Sequence, residues 1–121
     1  MTVLAGVRVL AVDDNDINRA FLSDILEAAG ATVEAVASGI EAIARARAAR
    51  DSEPFRIALT DIEMPEMNGY QLAERLPIYA LSAHDDETAR AKCAAAGMQG
   101  LLTKPVDAAT LYATVGKHRQ A

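Results

Sequence analysis

Acidic residues stand in two short runs, Asp13-Asp14 with Asp16 and Asp61 with Glu63; Ser82 and the pair Lys104-Pro105 follow further along. Carboxylates gathered in space repel one another and lose hydration, so such a group implies a shared cation. Ligands that offer oxygen alone, with no His or Cys among them, suit Mg²⁺ rather than zinc. A lysine and a hydroxyl beside that cation would meet the remaining charge of a phosphoryl group. Together these groups describe a phosphoaspartate site in which one Asp is the nucleophile. Taken singly, the same residues mean less. An Asp after a strand is most often a helix cap, and Asp16 and Asp107 are read that way. A lone Lys-Pro is a turn. The chemistry rests on their conjunction at successive strand ends.

Two hydropathy periods alternate along the chain and must position these residues. Residues 7–12 form an apolar run broken only by Arg8, as expected of a strand covered on both faces. Ile17, Phe21, Leu22, Ile25, Leu26 and Ala29 then fall at helical spacing, with Gly30 as the stop. Residues 32–37 read as a second strand, and Ser38 with Glu41 as a capping box opening a helix with Ile40, Ile43 and Ala44 inward. Strands at 56–60, 78–82 and 100–103 follow; a helix at about 86–96 ends at Gly97, and Asp107 opens a last helix with Leu111, Tyr112 and Val115 inside. Five strands alternating with helices imply a doubly wound, five-stranded parallel sheet with helices on both faces, an α/β fold. In such folds the site lies at the carboxyl ends of the strands. Asp13, Asp14, Asp61, Ser82 and Lys104 all stand there.

Composition narrows the function classes. The chain has 121 residues, 12 Lys+Arg against 17 Asp+Glu and a net charge of −5. That length suits one domain, taken as residues 1–121. Net acidity disfavours nucleic acid, which needs a basic face. No apolar run reaches the ~20 residues of a membrane span, so no membrane contact by this domain is expected. One cysteine cannot form an internal disulfide, and with no signal-like N-terminus the expectation is a cytoplasmic protein. Cys93 reads as a small packing residue, and His84 and His118 as too isolated for a metal site.

Longer motifs carry a family resemblance. Val12-Asp13-Asp14-Asn15, Thr60-Asp61-Ile62-Glu63-Met64-Pro65-Glu66-Met67-Asn68-Gly69, Leu81-Ser82-Ala83-His84 and Thr103-Lys104-Pro105 resemble the four motifs of response-regulator receiver domains in two-component signalling. The segment from Cys93 to Gly100 and the run Lys104-Pro105-Val106-Asp107 look most like receivers of hybrid sensor histidine kinases. The resemblance implies a flavodoxin-like sheet of order 2-1-3-4-5. It implies that Asp61 accepts a phosphoryl group from phosphohistidine, and that Asp14, Asp61 and the backbone carbonyl of Glu63 bind Mg²⁺, with Asp13 acting through water. Lys104 would contact the phosphoryl oxygens and Ser82 would hydrogen-bond to them in the activated state. The partner would be a histidine kinase or a histidine phosphotransfer domain, and the only catalysis self-catalysed phosphotransfer and autodephosphorylation. The resemblance also implies a cis Lys104–Pro105 bond. Glu63 and His84, at the rim, are expected to tune hydrolysis of the aspartyl phosphate.

Two features depart from the pattern. Leu101 stands where the family often has Tyr or Phe, and the stretch from Asn68 to Pro77 is short. Eight residues of helix after Gly69 rise only ~12 Å, whereas the strand from Pro77 climbs ~16 Å. The reading expects a mobile loop to be absent from the sequence here. Three other readings stay open: a stand-alone response regulator, an inactive pseudo-receiver that binds partners, and a haloacid-dehalogenase-type phosphatase using Asp14 and Asp16. The last needs Thr or Val where Asn18 stands.

Overall fold

A computed structural model describes residues 3–49, 51–61, 76–83, 86–95, 97–104 and 106–118. In chain order the elements are β1 (Arg8–Val12), α1 (Asp16–Ala28), β2 (Thr32–Val36), α2 (Gly39–Ala49), β3 (Ile57–Asp61), β4 (Ile78–Ser82), α3 (Glu87–Ala95), β5 (Gly100–Thr103) and α4 (Ala108–Gly116). The strands form one parallel sheet of order β2-β1-β3-β4-β5.

Alternation along β1 explains its continuous apolar run. Val9 and Ala11 turn to one face, where Leu22 and Leu26 of α1 meet Leu111 and Val115 of α4. Leu10 and Val12 turn to the other, against Ala42 and Ala49 of α2 and Phe55. Both faces are therefore dry, and a parallel strand in that position must be apolar at every residue. Arg8, at the start of the strand, lays its guanidinium 4.4 Å from the centre of the Phe55 ring and pairs with Glu34.

The helix ends follow local chemistry, with one correction. Asn15, not Asp16, caps α1: its side-chain oxygen accepts the N–H groups of Ile17 and Asn18 at 2.9 and 3.0 Å, and Asp16 is the first helical residue. At the other end Gly30 takes φ +99°, while its N–H and that of Ala31 close on the Glu27 and Leu26 carbonyls. Ser38 accepts the Glu41 N–H at 3.2 Å, and Asp107 caps α4 through the Thr110 N–H at 2.7 Å. That bond favours the ionised carboxyl, so Asp107 titrates below the ordinary range.

The helical faces correct the sequence reading further. Ile17 and Phe21 are 77% and 47% exposed, and Ile40 is 70% exposed with Ala44 also outside. In α1 the stripe through Leu22, Leu26 and Ala29 fills the space against the sheet; Phe21 lies ~100° away around the helix. In α2 the small residues Ala42, Ala46 and Ala49 allow close approach, which turns Ile40 and Ala44 outward. The short stretch from Asn68, where a loop was expected to be absent, lies outside the described residues up to Leu76. The Pro77 carbonyl accepts the Ala58 N–H at 2.9 Å, tying the start of β4 to β3. The helix expected after Gly69 lies outside the described residues.

Cys93 behaves as a packing residue. Its thiol is buried and donates to the Gly100 carbonyl at 3.2 Å, and burial raises its pKa above the ordinary thiol value. Iodoacetamide at pH 7.5 should therefore leave the native chain unmodified over an hour, yet alkylate it within minutes in denaturant. Equal rates in both conditions would contradict this packing. Leu26 has no exposed surface and sits between α1 and the sheet. Leu26→Ala should lower unfolding stability by about 2–5 kcal/mol in urea titration; a loss below 1 kcal/mol would contradict the core described.

Candidate functional site

Parallel register sets the level of each strand end. Val12 pairs with Thr60, so Asp13 stands beside Asp61; Asp61 itself pairs with Leu81, and Ser82 with Thr103. Asp13, Asp14, Asp61, Ser82 and Lys104 thus share one edge of the sheet. One carboxylate oxygen from each of Asp13, Asp14 and Asp61 lies within 4.8 Å of the others. Asp14 is exposed, Asp61 half-buried and Asp13 fully buried at 0%.

Lys104 faces this group from β5's end. Its Nζ stands 3.4 Å from Asp61 Oδ2 and 3.9 Å from Asp13 Oδ2. The Lys104 N–H donates to the Ser82 carbonyl at 2.6 Å, which holds the lysine backbone beside Ser82. Ser82 is itself buried. Glu63, His84 and Pro105 lie outside the described residues, so the Glu63 carbonyl, the two rim residues and the Lys104–Pro105 bond have no geometry to report.

Three carboxylates against one ammonium leave a formal charge of two negatives, which one divalent cation would cancel. The donor set fits Mg²⁺. It offers oxygen only, and oxygens around one octahedral ion at ~2.1 Å are about 2.9–4.2 Å apart, close to the spacing already present. Among the described residues no His or Cys belongs to the group, which argues against zinc.

The sequence reading missed the groups that hold Asp13. Asn15 N–H donates to Asp13 Oδ1 at 2.9 Å and Asn18 Nδ2 to Oδ2 at 3.2 Å. Arg19 Nη1 donates to the Asp13 carbonyl at 2.7 Å and its other nitrogen pairs with Asp16. The available signal was spacing: Asn15, Asn18 and Arg19 are three and four residues apart, on one face of a helix opening behind the acidic pair. Beside them, Ile17, Phe21, Leu22, Leu81 and Val106 line a cleft of about 390 Å³ that reaches Asp13 and Lys104.

Known proteins resemble the chain over most of its length. Ethylene receptor 2 of Arabidopsis thaliana is 39% identical over 114 residues, covering 87% of this chain and 15% of that protein. Hybrid signal transduction histidine kinase L of Dictyostelium discoideum is 31% identical over 123 residues, covering 92% and 7%. The chain thus spans a small fraction of these curated relatives. Among solved structures, the receiver domain of a sensor histidine kinase from Pseudomonas aeruginosa PAO1, with a magnesium ion coordinated in its active-site cleft, has a TM-score of 0.79. It is 29% identical, covering 97% of this chain and 100% of that one. The family described as the response regulator receiver domain matches residues 9–116, and the chain belongs to that family of two-component and phosphorelay signalling.

Proposed function

We propose that this chain is the phosphoacceptor receiver of a hybrid sensor kinase, taking a phosphoryl group from phosphohistidine onto Asp61. The observation that carries this reading is the Lys104 ammonium 3.4 Å from Asp61 at the point where three carboxylates converge. In the transfer, an Asp61 carboxylate oxygen attacks phosphorus as the phosphorus–nitrogen bond to the donor imidazole breaks. The bonding pair leaves with that imidazole. Lys104 meets the charge on the transferring oxygens, and the Ser82 hydroxyl donates to one of them in the loaded state. Asp14, Asp61 and the Glu63 carbonyl would hold Mg²⁺, with Asp13 acting through water. The ion supplies charge neutralisation between acceptor and phosphoryl group. Release is hydrolysis of the same acyl phosphate by water.

The donor is a histidine kinase or a histidine phosphotransfer domain. Exposed Ile17 and Phe21 beside the site suit an apolar partner surface, and the charged core of the site suits the phosphohistidine. Among the described residues no helix is long and apolar enough to cross a membrane. We place this domain's work in the cytoplasm, where kinase and phosphotransfer partners act.

The test is acetyl phosphate with Mg²⁺, followed by intact mass. One phosphoryl group should be gained by wild type and none by Asp61→Asn. No gain by wild type would indicate an inactive binding module instead. The metal assignment has a separate measurement. Millimolar Mg²⁺ should raise the melting temperature of wild type by a few degrees, since it binds only the assembled site. Asp14→Asn should melt slightly higher than wild type in EDTA, through relief of carboxylate repulsion, and respond less to Mg²⁺. Equal Mg²⁺ responses in the two proteins would remove Asp14 from the ligand set.

A further inference from the structure

Lys104 stands between two carboxylates that compete for it. Its ammonium is 3.4 Å from Asp61 Oδ2 and 3.9 Å from Asp13 Oδ2, so neither contact is a tight ion pair. A charge-assisted N–H···O bond contracts to about 2.7–2.9 Å when nothing prevents it. Asp13 is the more buried of the two, and a buried carboxylate oxygen gains most from a donor. On these grounds alone Asp13 should capture the lysine.

The contacts around Asp13 explain why it does not. Oδ1 accepts the Asn15 N–H at 2.9 Å, and Oδ2 accepts the Asn18 amide at 3.2 Å. Among the described residues, Asn18 and Lys104 are the donors that face Oδ2. The amide is neutral, so it satisfies the oxygen without cancelling the charge of the acidic group. Arg19 holds the Asp13 carbonyl at 2.7 Å, so the acidic turn and the first turn of α1 move as one body. We infer that Asn18 is a positioning residue: its amide occupies the Asp13 oxygen that would otherwise draw Lys104 away from Asp61. This inference rests on the proposed role of Lys104 at the phosphoryl group. Asn18 itself touches no reacting atom.

The experiment is a double-mutant cycle on the whole chain, with acetyl phosphate and Mg²⁺ as phosphodonor and cofactor and intact mass as the readout. Asn18→Ala should slow phosphorylation of Asp61 by about fivefold, the scale of one hydrogen bond's net worth. In a Lys104→Ala background the same substitution should change the rate less than twofold. Equal fold-losses in both backgrounds would assign Asn18 a role that does not pass through Lys104, and an unchanged rate in wild-type background would overturn the inference outright. A second readout does not depend on turnover. The chain has three lysines, so the ¹³Cε resonance of Lys104 is assignable by its loss in Lys104→Ala. In metal-free protein that resonance should shift in Asn18→Ala; an unchanged resonance would show that the Asn18 amide on Asp13 does not decide where Lys104 sits, and would overturn the inference. Asn18→Ser, which keeps a hydroxyl donor, serves if the alanine variant melts more than a few degrees below wild type; its rate should fall between the two. A wild type that takes no phosphoryl group would remove the functional reading, while the resonance would still decide where Lys104 is held.

Discussion

The edge of the sheet is organised around one buried carboxylate. Asp13 has no exposed surface, and an ionised carboxylate in that position is stable only when its oxygens meet donors. Three elements deliver them. The capping turn brings the Asn15 N–H, the first turn of α1 brings the Asn18 amide, and β5 sends Lys104 back across two intervening strands. Removing one donor would leave a charge in low dielectric, whose cost exceeds the net worth of a typical hydrogen bond. The donors on Asp13 other than Lys104 are neutral, so the three carboxylates together carry more charge than the one ammonium that faces Asp13 and Asp61.

Such geometry demands a rigid frame, and the two cores supply it. Side chains in a strand alternate between faces, so a slip of one residue in β5 would turn Lys104 to the wrong side of the sheet. The register is held because a slip would also expose the apolar residues of the strand. β1 is the extreme case: Val9, Leu10, Ala11 and Val12 are all at 0% exposure, divided between the α1/α4 face and the α2 face. Any shift of β1 would carry Asp13 with it and break both cores. The packing of residues far from the chemistry thus fixes the distances at which the chemistry works.

That division explains what the sequence could tell. The central strands β1, β3 and β4 were legible because burial on both faces forces near-continuous apolar runs, and helix ends because Gly30, Gly97 and Asp107 have few other uses in those positions. The acidic residues and Lys104 were legible through their types and places. What periodicity could not supply was rotational phase. It located the apolar stripe of α1 but not which flank faces the sheet, so exposed Ile17 and Phe21 were read as core. In α2 the same ambiguity was settled by alanines, whose size, more than their hydropathy, lets the helix sit close. Asn18 and Arg19 were illegible for another reason. Polar residues in a first helical turn normally face water, and their return to Asp13 depends on the angle at which α1 leaves β1.

Leu101 bears on how a change at Ser82 could travel. It pairs with Ala80 while Thr103 pairs with Ser82, so Leu101 and Thr103 lie on one face of β5, as Ala80 and Ser82 do on β4. A leucine has neither a ring to rotate nor a hydroxyl to exchange partners, so movement of Ser82 has no aromatic group at this position to displace. One direct link from Ser82 to the segment after β5 is its carbonyl, which accepts the Lys104 N–H at 2.6 Å. Two residues beyond Lys104, Val106 is packed in the same core as Leu111 and Val115 of α4. A shift at Ser82 would therefore act on the Lys104 backbone, which precedes the core packing of Val106 against α4. Under the proposed function Lys104 would thus serve twice, facing Asp61 with its ammonium and joining Ser82 to the segment before α4 through its backbone.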